Sequence, residues 1–364
     1  MNFFSKLSSR SFDWILFISV ILLVFIGLAA IYSVDLSRGQ AFIYFRKQLL
    51  WVGIGLLLLL IAGFTQYTFF RSYAKLFYLV SIVLLIAVYF FGANIRGSRS
   101  WFTLGNFSFQ PLEAAKAGVI LMLAYIVYNF GRRFERPLFF IGTGIVTLLI
   151  ILLIMMGRDL GSSTIIGAIW FGTMLLVGAR RSFVVTFVLG GILFSVVAWF
   201  FLLHPYQKER VLNFVYPERD ALGTGYNSTQ AIIAVGAGQL MGRGLGFGSQ
   251  SQLRFLPEAQ TDFIFSVIAE ELGLAGVTVF LLLFGVMLWR LIIIVKKSND
   301  DFVSVTVGGI AILFFSQFVV NVGANIGLLP ITGVTLPFVS YGGSSLIINL
   351  FLIGVAESMV EKRY

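Results

Sequence analysis

The sequence predicts an all-α membrane protein that crosses the bilayer ten times, and composition and the length of its apolar stretches support this prediction. Apolar residues make up 59% of the 364 residues and charged residues only 12%, whereas a soluble domain carries about 25% charged residues. The mean hydropathy is +0.96. Ten apolar stretches approach the roughly 20 residues that a helix needs to cross the hydrocarbon layer. Together these features indicate a polytopic helical bundle without a soluble domain.

The ten predicted spans follow one another with short connections, except between the seventh and the eighth. The second span is short, and the eighth is long enough to begin in a loop or to tilt strongly. The spans cover residues 14–34, 48–65, 74–92, 112–130, 138–156, 160–178, 183–203, 262–295, 303–326 and 340–359.

The distribution of Lys and Arg predicts that both termini lie in the cytoplasm. With this orientation, fourteen Lys and Arg residues fall on the cytoplasmic side and seven in the short segments of the opposite side, as the positive-inside rule requires. The same bias explains the net charge of +10, and no run of five basic residues indicates binding to nucleic acid. The first apolar stretch is too long for a signal-peptide core, so it is interpreted as a retained first span.

Residues 204–261 form one long extracytoplasmic connection between the seventh and eighth spans. Loops of more than about 15 residues are usually functional, or else linkers. Within this connection, "STQAIIAVGAGQL" has the spacing of a short interfacial helix. We expect an ordered cap over a cavity, within a single membrane domain of residues 1–364, and a loosely ordered connector is the alternative.

The residue types restrict the chemistry that this chain can perform. It has no cysteine and a single histidine, His204, which excludes disulfides, thiolate nucleophiles and metal sites with two histidines. The glycines of "GRGLGFG" at 242–248 lack the Lys-Ser/Thr ending of a phosphate-binding loop and indicate a hinge or tight loop. Catalysis therefore depends on carboxylates, Lys, Arg and hydroxyls, without an organic cofactor.

The connection between the third and fourth spans, "GSRSWFTLGNFSFQPLEAAKAG", ends in the start of a helix. Its Gln110-Pro111 pair fits a helix with proline in the first turn. Glu113 and Lys116 then lie on one helix face. They are either an ion pair that lets both charges lie near the membrane or part of a binding site. We expect Trp101, as an interfacial anchor, and Gln110 to line the cavity.

Basic residues collect at the predicted outer ends of several spans. Snorkelling and local pairing explain each of them separately. Together they could surround a cavity that attracts an anion such as a pyrophosphate. The candidates are Arg46, Lys47, Arg99, Lys116, Arg158, Lys208 and Arg210.

Three acidic residues occur at the start of the eighth span, in "TDFIFSVIAEELG". Asp262 is either a helix N-cap or a lone acid that opens toward the outside. On a helix, Glu270 lies about 80° and Glu271 about 180° around from Asp262, so the three are not an obvious two-carboxylate pair. Because an ionisable side chain within a span is a candidate functional residue, Glu270 and Glu271 are expected to face other helices or a cavity.

The connection between the ninth and tenth spans, "LLPITGVTLPFVSYGGSSLI", has two prolines and several hydroxyls but no charge. Irregular backbone at membrane depth is tolerated only where it is buried in protein or lines a cavity. We therefore expect this connection to shape the cavity, with Ser340 on its wall together with Thr261 from the preceding loop.

Four stretches resemble, in order, the motifs of the SEDS family of bacterial cell-wall polymerases, which includes RodA, FtsW and SpoVE. They are "GSRSWFTLGNFSFQPLEAAK", "PERDALGTGYNSTQAIIAVGAGQLMGRGLG", "FLPEAQTDFIFSVIAEELGLAG" and "LPITGVTLPFVSYGGSS". Among these groups, "HPYQKERV" and "GSQSQLRFLPEAQTDFIFS" are most similar to RodA, which implies a role in cell elongation and rod shape. The resemblance implies a ten-helix protein of the bacterial cytoplasmic membrane that polymerises lipid II into peptidoglycan strands on the outer face.

The same resemblance implies roles for individual residues and a partner. It places the family's essential aspartate at Asp262 and its functional glutamate and lysine at Glu113 and Lys116. Basic residues of the family's cavity correspond to Arg46 and Arg210. The implied partner is a class B penicillin-binding protein, a transpeptidase, and the implied ligands are lipid II and the glycan linked to undecaprenyl pyrophosphate.

The chemistry of this reaction agrees with the residue types present. The pyrophosphate on C1 of the donor sugar is a good leaving group, so cations suffice to absorb its charge. An α-linked donor that gives a β-1,4 product requires one displacement with one base, which we assign to Asp262. A divalent cation, Mg²⁺ or Mn²⁺, could bridge the pyrophosphate, although no ligand cage is visible in the sequence.

A lipid II flippase or transporter is the alternative function. Buried charges and broken helices occur in transporters as well. A flippase needs charge that continues toward the cytoplasmic side, and Glu270 and Glu271 are the residues that could provide it. A scaffold without catalytic activity, in which Asp262 only caps a helix, is a third possibility.

Overall fold

The structure of the protein is a computed structural model that describes residues 12–37, 42–95, 98–104, 107–131, 137–179, 181–201, 205–216 and 224–360. In chain order the elements are α1 (Trp14–Ser37), α2 (Ile43–Phe64), α3 (Tyr67–Phe91), β1 (Ala93–Ile95), β2 (Ser98–Leu104), β3 (Phe107–Phe109), α4 (Pro111–Phe130), α5 (Pro137–Met156), α6 (Leu160–Val177), α7 (Arg181–Phe201), α8 (Pro205–Val215), α9 (Thr224–Ala237), α10 (Ser249–Gln252), α11 (Ile264–Lys297), α12 (Asp301–Asn325) and α13 (Gly343–Glu357).

The helices agree with the predicted set of membrane spans. Among the residues that the structure describes, nine helices are long and apolar enough to cross a membrane, and α13 is a tenth apolar helix of 15 residues. Its shorter length follows from the irregular connection that precedes it, since Gly342 is not helical. Helix α4 begins at Pro111 with Gln110 at the N-cap, as the sequence predicted.

Close contact between helices depends on small residues. A Cβ added to Gly354 of α13 would lie 2.3 Å from the carbonyl oxygen of Leu59 in α2. Gly27 of α1 allows a similar approach to the irregular connection before α13, since a Cβ there would lie 2.6 Å from the carbonyl oxygen of Val339. Small residues of this kind let helix backbones approach each other in a membrane, where van der Waals packing drives association. By contrast, α7 is largely exposed and presents Leu193 and Phe200 to the surroundings, as expected for a helix that faces lipid.

A small antiparallel sheet lies between α3 and α4 and was not part of the predicted all-helical fold. Strand β2 lies between β1 and β3, with Ala93 opposite Trp101 and Phe102 opposite Phe109. Aromatic and β-branched residues in this connection favour strands. The sheet brings Trp101 and Ser108 to the same end of the bundle as Asp262, where all three line one cavity.

Helix α11, the predicted eighth span, is not a continuous helix. Gly273 has φ 64° and ψ −167°, so two helical pieces meet at this residue. The helix also begins at Ile264 with Phe263 at the N-cap position. Asp262 lies outside the helix, and the N-cap interpretation of this residue is wrong.

The predicted cap contains helices in its described part. These are α8, α9 and α10, and α9 contains most of the segment for which the sequence predicted a short helix. His204 and residues 217–223 lie outside the described residues. After α10 the chain reaches Asp262 through a series of turns.

Candidate active site

A cavity of about 440 Å³ lies at the end of the bundle where the sheet, the cap and the last connection meet. Asp262 and Arg158 both line it, together with Trp101, Gln110 and Thr261, as predicted for these wall positions. The other residues of its wall are Ser100, Ser108, Asp159, Leu160, Gly161, Val211, Glu258, Pro330, Ile331, Thr332, Gly333, Thr335, Tyr341, Gly342, Ser344 and Ser345. The wall is rich in hydroxyl groups, which can hydrogen-bond a sugar.

Asp262 is held through its backbone by two asparagines of α12. The side-chain amides of Asn321 and Asn325 donate to the carbonyl oxygen of Asp262 at 3.2 and 2.9 Å. Asn325 in turn accepts from the backbone N–H and the hydroxyl of Ser266, at 3.2 and 2.7 Å. These bonds fix the backbone at Asp262 and leave its carboxylate at the cavity.

The connection between α12 and α13 is hydrogen-bonded to the segment that carries Asp262. The hydroxyl of Ser340 donates to the carbonyl oxygen of Thr261 at 2.7 Å and accepts from the backbone N–H of Leu336 at 2.9 Å. The backbone N–H of Tyr341 donates to the carbonyl of Gln260 at 2.8 Å. Ser340 is buried and is not one of the residues that line the cavity. It lies behind the wall because its hydroxyl is used to join these two segments.

Arg158 and Asp159 lie at the start of α6 but differ in their roles. Asp159 caps the helix, since its carboxylate accepts from the backbone N–H of Ser162 at 2.9 Å and from the Ser162 hydroxyl at 2.8 Å. Arg158 has φ 64°, a left-handed conformation uncommon for a residue with a side chain. Arg158 directly precedes the N-cap residue Asp159, and its exposed side chain lies on the cavity wall.

Glu113 and Lys116 form a buried ion pair rather than part of the cavity wall. Their Oε1 and Nζ atoms lie 2.7 Å apart, and each side chain is only 4% exposed. The other carboxylate oxygen of Glu113 is buried and has no hydrogen-bond partner among the residues that the structure describes. Both side chains are buried and neither is among the residues that line this cavity. The geometry agrees with the ion-pair alternative, and a part in substrate binding stays a prediction.

Most of the basic residues that the sequence suggested around the cavity are not among the described side chains of its wall. Arg46 is exposed on α2 and is not among the lining residues. Arg210 lies on α8, next to the lining residue Val211, but its side chain lies outside the described residues. Among the side chains that the structure describes on the wall, Arg158 is the one cation, and the acids are Asp159, Glu258 and Asp262.

Glu270 and Glu271 are buried and hold the cap against the bundle. Glu270 accepts from the backbone N–H groups of Gln250 and Ser251 at 2.8 and 3.2 Å. Glu271 accepts from the hydroxyl of Ser33 in α1. Both acids therefore face other elements at the cap side of the bundle, and this arrangement does not extend charge through the membrane as a flippase requires.

The sequence did not single out the residues that support the site. Asn321 and Asn325 are spaced by one helical turn in "NVGAN", and two amides on one face of an apolar span were the available signal. Tyr341 packs edge-on against Tyr44, with ring centroids 4.9 Å apart. Burial, with Tyr44 and Asp35 nearby, raises the pKa of the Tyr341 phenol.

Comparison with known proteins identifies the family. A family model described as "Cell cycle protein", for FtsW, RodA and SpoVE, matches residues 13–364. The chain belongs to this family. It is 37% identical to the peptidoglycan glycosyltransferase MrdB of Escherichia coli (strain K12) over 330 residues, which cover 90% of this chain and 88% of the relative. It is also 38% identical to the stage V sporulation protein E of Bacillus subtilis (strain 168) over 357 residues, covering 94% and 95%.

Solved structures of the FtsW, RodA and SpoVE family have the same fold. The rod shape determining protein RodA of Thermus thermophilus superposes with a TM-score of 0.72 at 28% identity, over 96% of both chains. A chain from a structure of a peptidoglycan synthase complex, described as coordinating polymerization and crosslinking, gives a TM-score of 0.81 at 31% identity, over 95% of this chain and 97% of that chain. The protein is thus a multi-pass protein of the bacterial cytoplasmic membrane.

Proposed function

We propose that this protein is a peptidoglycan glycosyltransferase that polymerises lipid II into β-1,4-linked glycan on the outer face of the cytoplasmic membrane, for cell elongation and rod shape. The observation that carries the proposal is Asp262, a carboxylate on the wall of a 440 Å³ cavity, in a chain 37% identical to a peptidoglycan glycosyltransferase. The cavity end of the bundle faces outward, and both termini lie in the cytoplasm, as the distribution of Lys and Arg predicts.

Asp262 acts as the general base of a single displacement. Its carboxylate takes the proton from the 4-hydroxyl of the acceptor sugar while that oxygen forms a bond to C1 of the donor sugar. The bond from C1 to the pyrophosphate oxygen breaks, and undecaprenyl pyrophosphate leaves with the electron pair. One displacement inverts the α-linked donor into a β product, and a positioned base contributes about 10²–10⁴-fold to such a reaction.

Arg158 stabilises the charge that develops on the leaving group. It lines the same cavity as Asp262, and a guanidinium forms strong, charge-assisted hydrogen bonds with phosphate oxygens. The hydroxyl groups of Ser344 and Ser345, which lie on the wall at the start of α13, are placed to bind sugar hydroxyls. Four further charged residues have a secondary role in this proposal: they support this wall or reach it after a movement of the helices. They are Lys116, Glu113, Arg46 and Arg210.

A divalent cation fits this wall as an additional group. Glu258 and Asp262 both contribute carboxylates to the cavity, while the described residues contain no group of three acidic, histidine or cysteine side chains that could hold a metal. Mg²⁺ is commonly held by one or two carboxylates together with substrate phosphates. Mg²⁺ or Mn²⁺ bound by these residues would offset the negative charge of the pyrophosphate.

The partner of this polymerase is a class B penicillin-binding protein that cross-links the new strand. The support is the similarity to a chain of a peptidoglycan synthase complex described as coordinating polymerization and crosslinking. A polymerase that releases glycan at the outer face needs a transpeptidase there, because uncrosslinked strands do not form a wall.

The proposal is tested by glycan formation from purified lipid II in detergent, with the transpeptidase partner present. We compare the wild type, Asp262→Asn and Glu209→Gln at equal amounts of folded protein. Glu209→Gln is the matched control because it removes an exposed carboxylate of α8 that does not line the cavity. We expect Asp262→Asn to lose at least about 100-fold in rate and Glu209→Gln to retain polymerisation.

Two results would contradict the proposal. Equal polymer from the wild type and Asp262→Asn would show that Asp262 is not the base. If neither protein makes polymer while wild-type proteoliposomes move lipid II between leaflets, the alternative function of a flippase would replace the polymerase.

A further inference from the structure

The segment between α9 and α10 exposes a group of large apolar side chains outside the long helices. Met241 is 83% exposed and Phe247 is 76% exposed, and Leu240 and Leu245 are also exposed. Leu240 and Met241 directly precede the "GRGLGFG" stretch, and Leu245 and Phe247 alternate with its glycines; none of these residues lines the cavity. A contiguous exposed apolar group of this kind marks an interaction surface for protein or membrane. We call residues 239–247 the cap wedge.

The cap wedge is built into the break of α11. The carbonyls of Glu270 and Glu271 accept from the backbone N–H groups of Arg243 and Gly244, at 3.0 and 2.9 Å. On the other side of the break, the N–H groups of Leu274 and Ala275 donate to the carbonyls of Gln239 and Leu240, at 2.8 and 3.0 Å. The wedge therefore hydrogen-bonds the backbone groups that have no partner within α11 because of the break at Gly273. These bonds fix the position of the wedge along the axis of α11.

Two polar contacts between α1 and α11 locate this position relative to the bilayer. At one end, Arg290 pairs with Asp13, with Nε 2.8 Å from Oδ2. At the other end, Ser33 donates to Glu271 and also accepts from the backbone N–H of Gly246 in the wedge, at 3.1 Å. Along α1 the two contacts are about 30 Å apart, from a rise of 1.5 Å per residue, which equals the thickness of the hydrocarbon layer.

We propose that the cap wedge inserts into the outer leaflet, with Met241 and Phe247 in contact with lipid acyl chains. It lies at the outer border of the hydrocarbon layer, where apolar side chains of interfacial segments are buried by about 5–10 Å. Irregular backbone at this depth must have its polar groups hydrogen-bonded within the protein. In the wedge, the N–H groups of Arg243, Gly244 and Gly246 are all hydrogen-bonded. The exposed Arg243 lies beside the apolar side chains, at the height of the lipid phosphates.

The insertion gives Glu270 and Glu271 a role that does not involve catalysis. Both acids fix the cap to the break in α11 by accepting from the cap and from α1. The chain then runs from the wedge through α10 to Asp262. The lipid contact therefore anchors the segment that leads to the cavity, independently of whether the proposed polymerase reaction is correct.

The experiment measures depth by spin labelling. The chain has no cysteine, so Met241→Cys and Phe247→Cys can each be labelled without a background and placed in vesicles of phosphatidylethanolamine and phosphatidylglycerol. Collision rates with oxygen, which concentrates in lipid, and with a water-soluble nickel chelate are compared. Leu282→Cys, exposed in the middle of α11, is the lipid control, and Glu209→Cys, exposed on α8, is the water control.

We expect oxygen to exceed the nickel chelate at both wedge positions, as at Leu282→Cys, with the opposite order at Glu209→Cys. Equal or greater access for the nickel chelate at the wedge positions would place them in water and overturn the proposal. Low access for both reagents would mean that protein, and not lipid, covers the wedge, which would also overturn the proposal. A rise in access on tenfold dilution of the protein in lipid would then identify a second copy of the chain as the covering protein.

Discussion

The side-chain amide of Asn325 donates to the backbone carbonyl of Asp262 at 2.9 Å, which joins the end of α12 to the proposed base. Asn321, one turn earlier, donates to the same carbonyl and to that of Val334 in the last connection. Two amides of one helix thus hold two walls of the cavity together. The position of the Asp262 carboxylate depends on α12 as well as on its own segment.

Asn325→Leu is expected to reduce polymerisation more than it reduces folding. It removes the bond to Asp262 and leaves the N–H and hydroxyl of Ser266 without their acceptor, at a cost of about 1–3 kcal/mol. A displacement of about 1 Å at a catalytic group can lower a rate by about 100-fold. Polymerisation rate and thermal stability are measured on the same preparation, and an unchanged rate at equal folded yield would contradict this role of Asn325.

Gln317→Leu is the matched control for Asn325→Leu. Gln317 lies two turns away on α12, is fully buried, and neither of its amide atoms has a hydrogen-bond partner among the described residues. Replacing an unsatisfied buried amide with an apolar group of similar size is neutral or stabilising. We expect a melting temperature equal to or above that of the wild type, with polymerisation within about twofold of it.

The Glu113–Lys116 pair is expected to behave as a coupled unit. Lys116→Met leaves a buried carboxylate without its partner, which typically costs about 3–5 kcal/mol, whereas replacing both members by apolar residues is often neutral. The double variant Glu113→Leu/Lys116→Met should therefore melt at a higher temperature than Lys116→Met. Additive losses in thermal unfolding would contradict this coupling. Polymerisation by the folded double variant then tests whether the pair also acts on the substrate.

Tyr341 is expected to make stability depend on alkaline pH. Because burial raises the pKa of its phenol above the ordinary value of 10.0, the folded protein holds the proton more tightly than the unfolded chain. The corresponding stability is complete below about pH 10 and is lost as the pH rises through the folded pKa. Between about pH 9 and 11 the wild type should lose more melting temperature than Tyr341→Phe. Parallel losses in both proteins would contradict the assignment.

The sequence was sufficient for features that follow from local chemistry. Apolar stretches gave the spans, Gln110-Pro111 gave the start of α4, and the i,i+3 spacing gave the Glu113–Lys116 pair. The position of Asp262 at a cavity also agreed with its place before the eighth span. These features need no information about which helices are neighbours.

Features that depend on contacts between distant segments were not predicted. The break at Gly273 is possible because the cap wedge supplies backbone partners, and nothing within "EELGLAG" shows this. The sequence left open whether the cations surround a cavity or are paired locally. In the structure, Lys116 pairs with Glu113 of its own helix and Arg46 is exposed on α2. A sum of charges along the chain does not determine which of them share a cavity.

Gly273→Ala and Gly285→Ala are expected to have opposite effects although both change a glycine of α11. Gly273 has φ 64°, and a Cβ there would lie 2.2 Å from the backbone nitrogen of Gly242 in the cap wedge. Because the neighbouring atom is backbone, the substitution must separate the wedge from the break, so thermal stability and polymerisation should both fall. Around Gly285 there is open space, so alanine should be neutral or stabilise the helix by up to about 1 kcal/mol. Melting of both variants in detergent measures the difference, and equal melting temperatures would show that the wedge does not depend on the break.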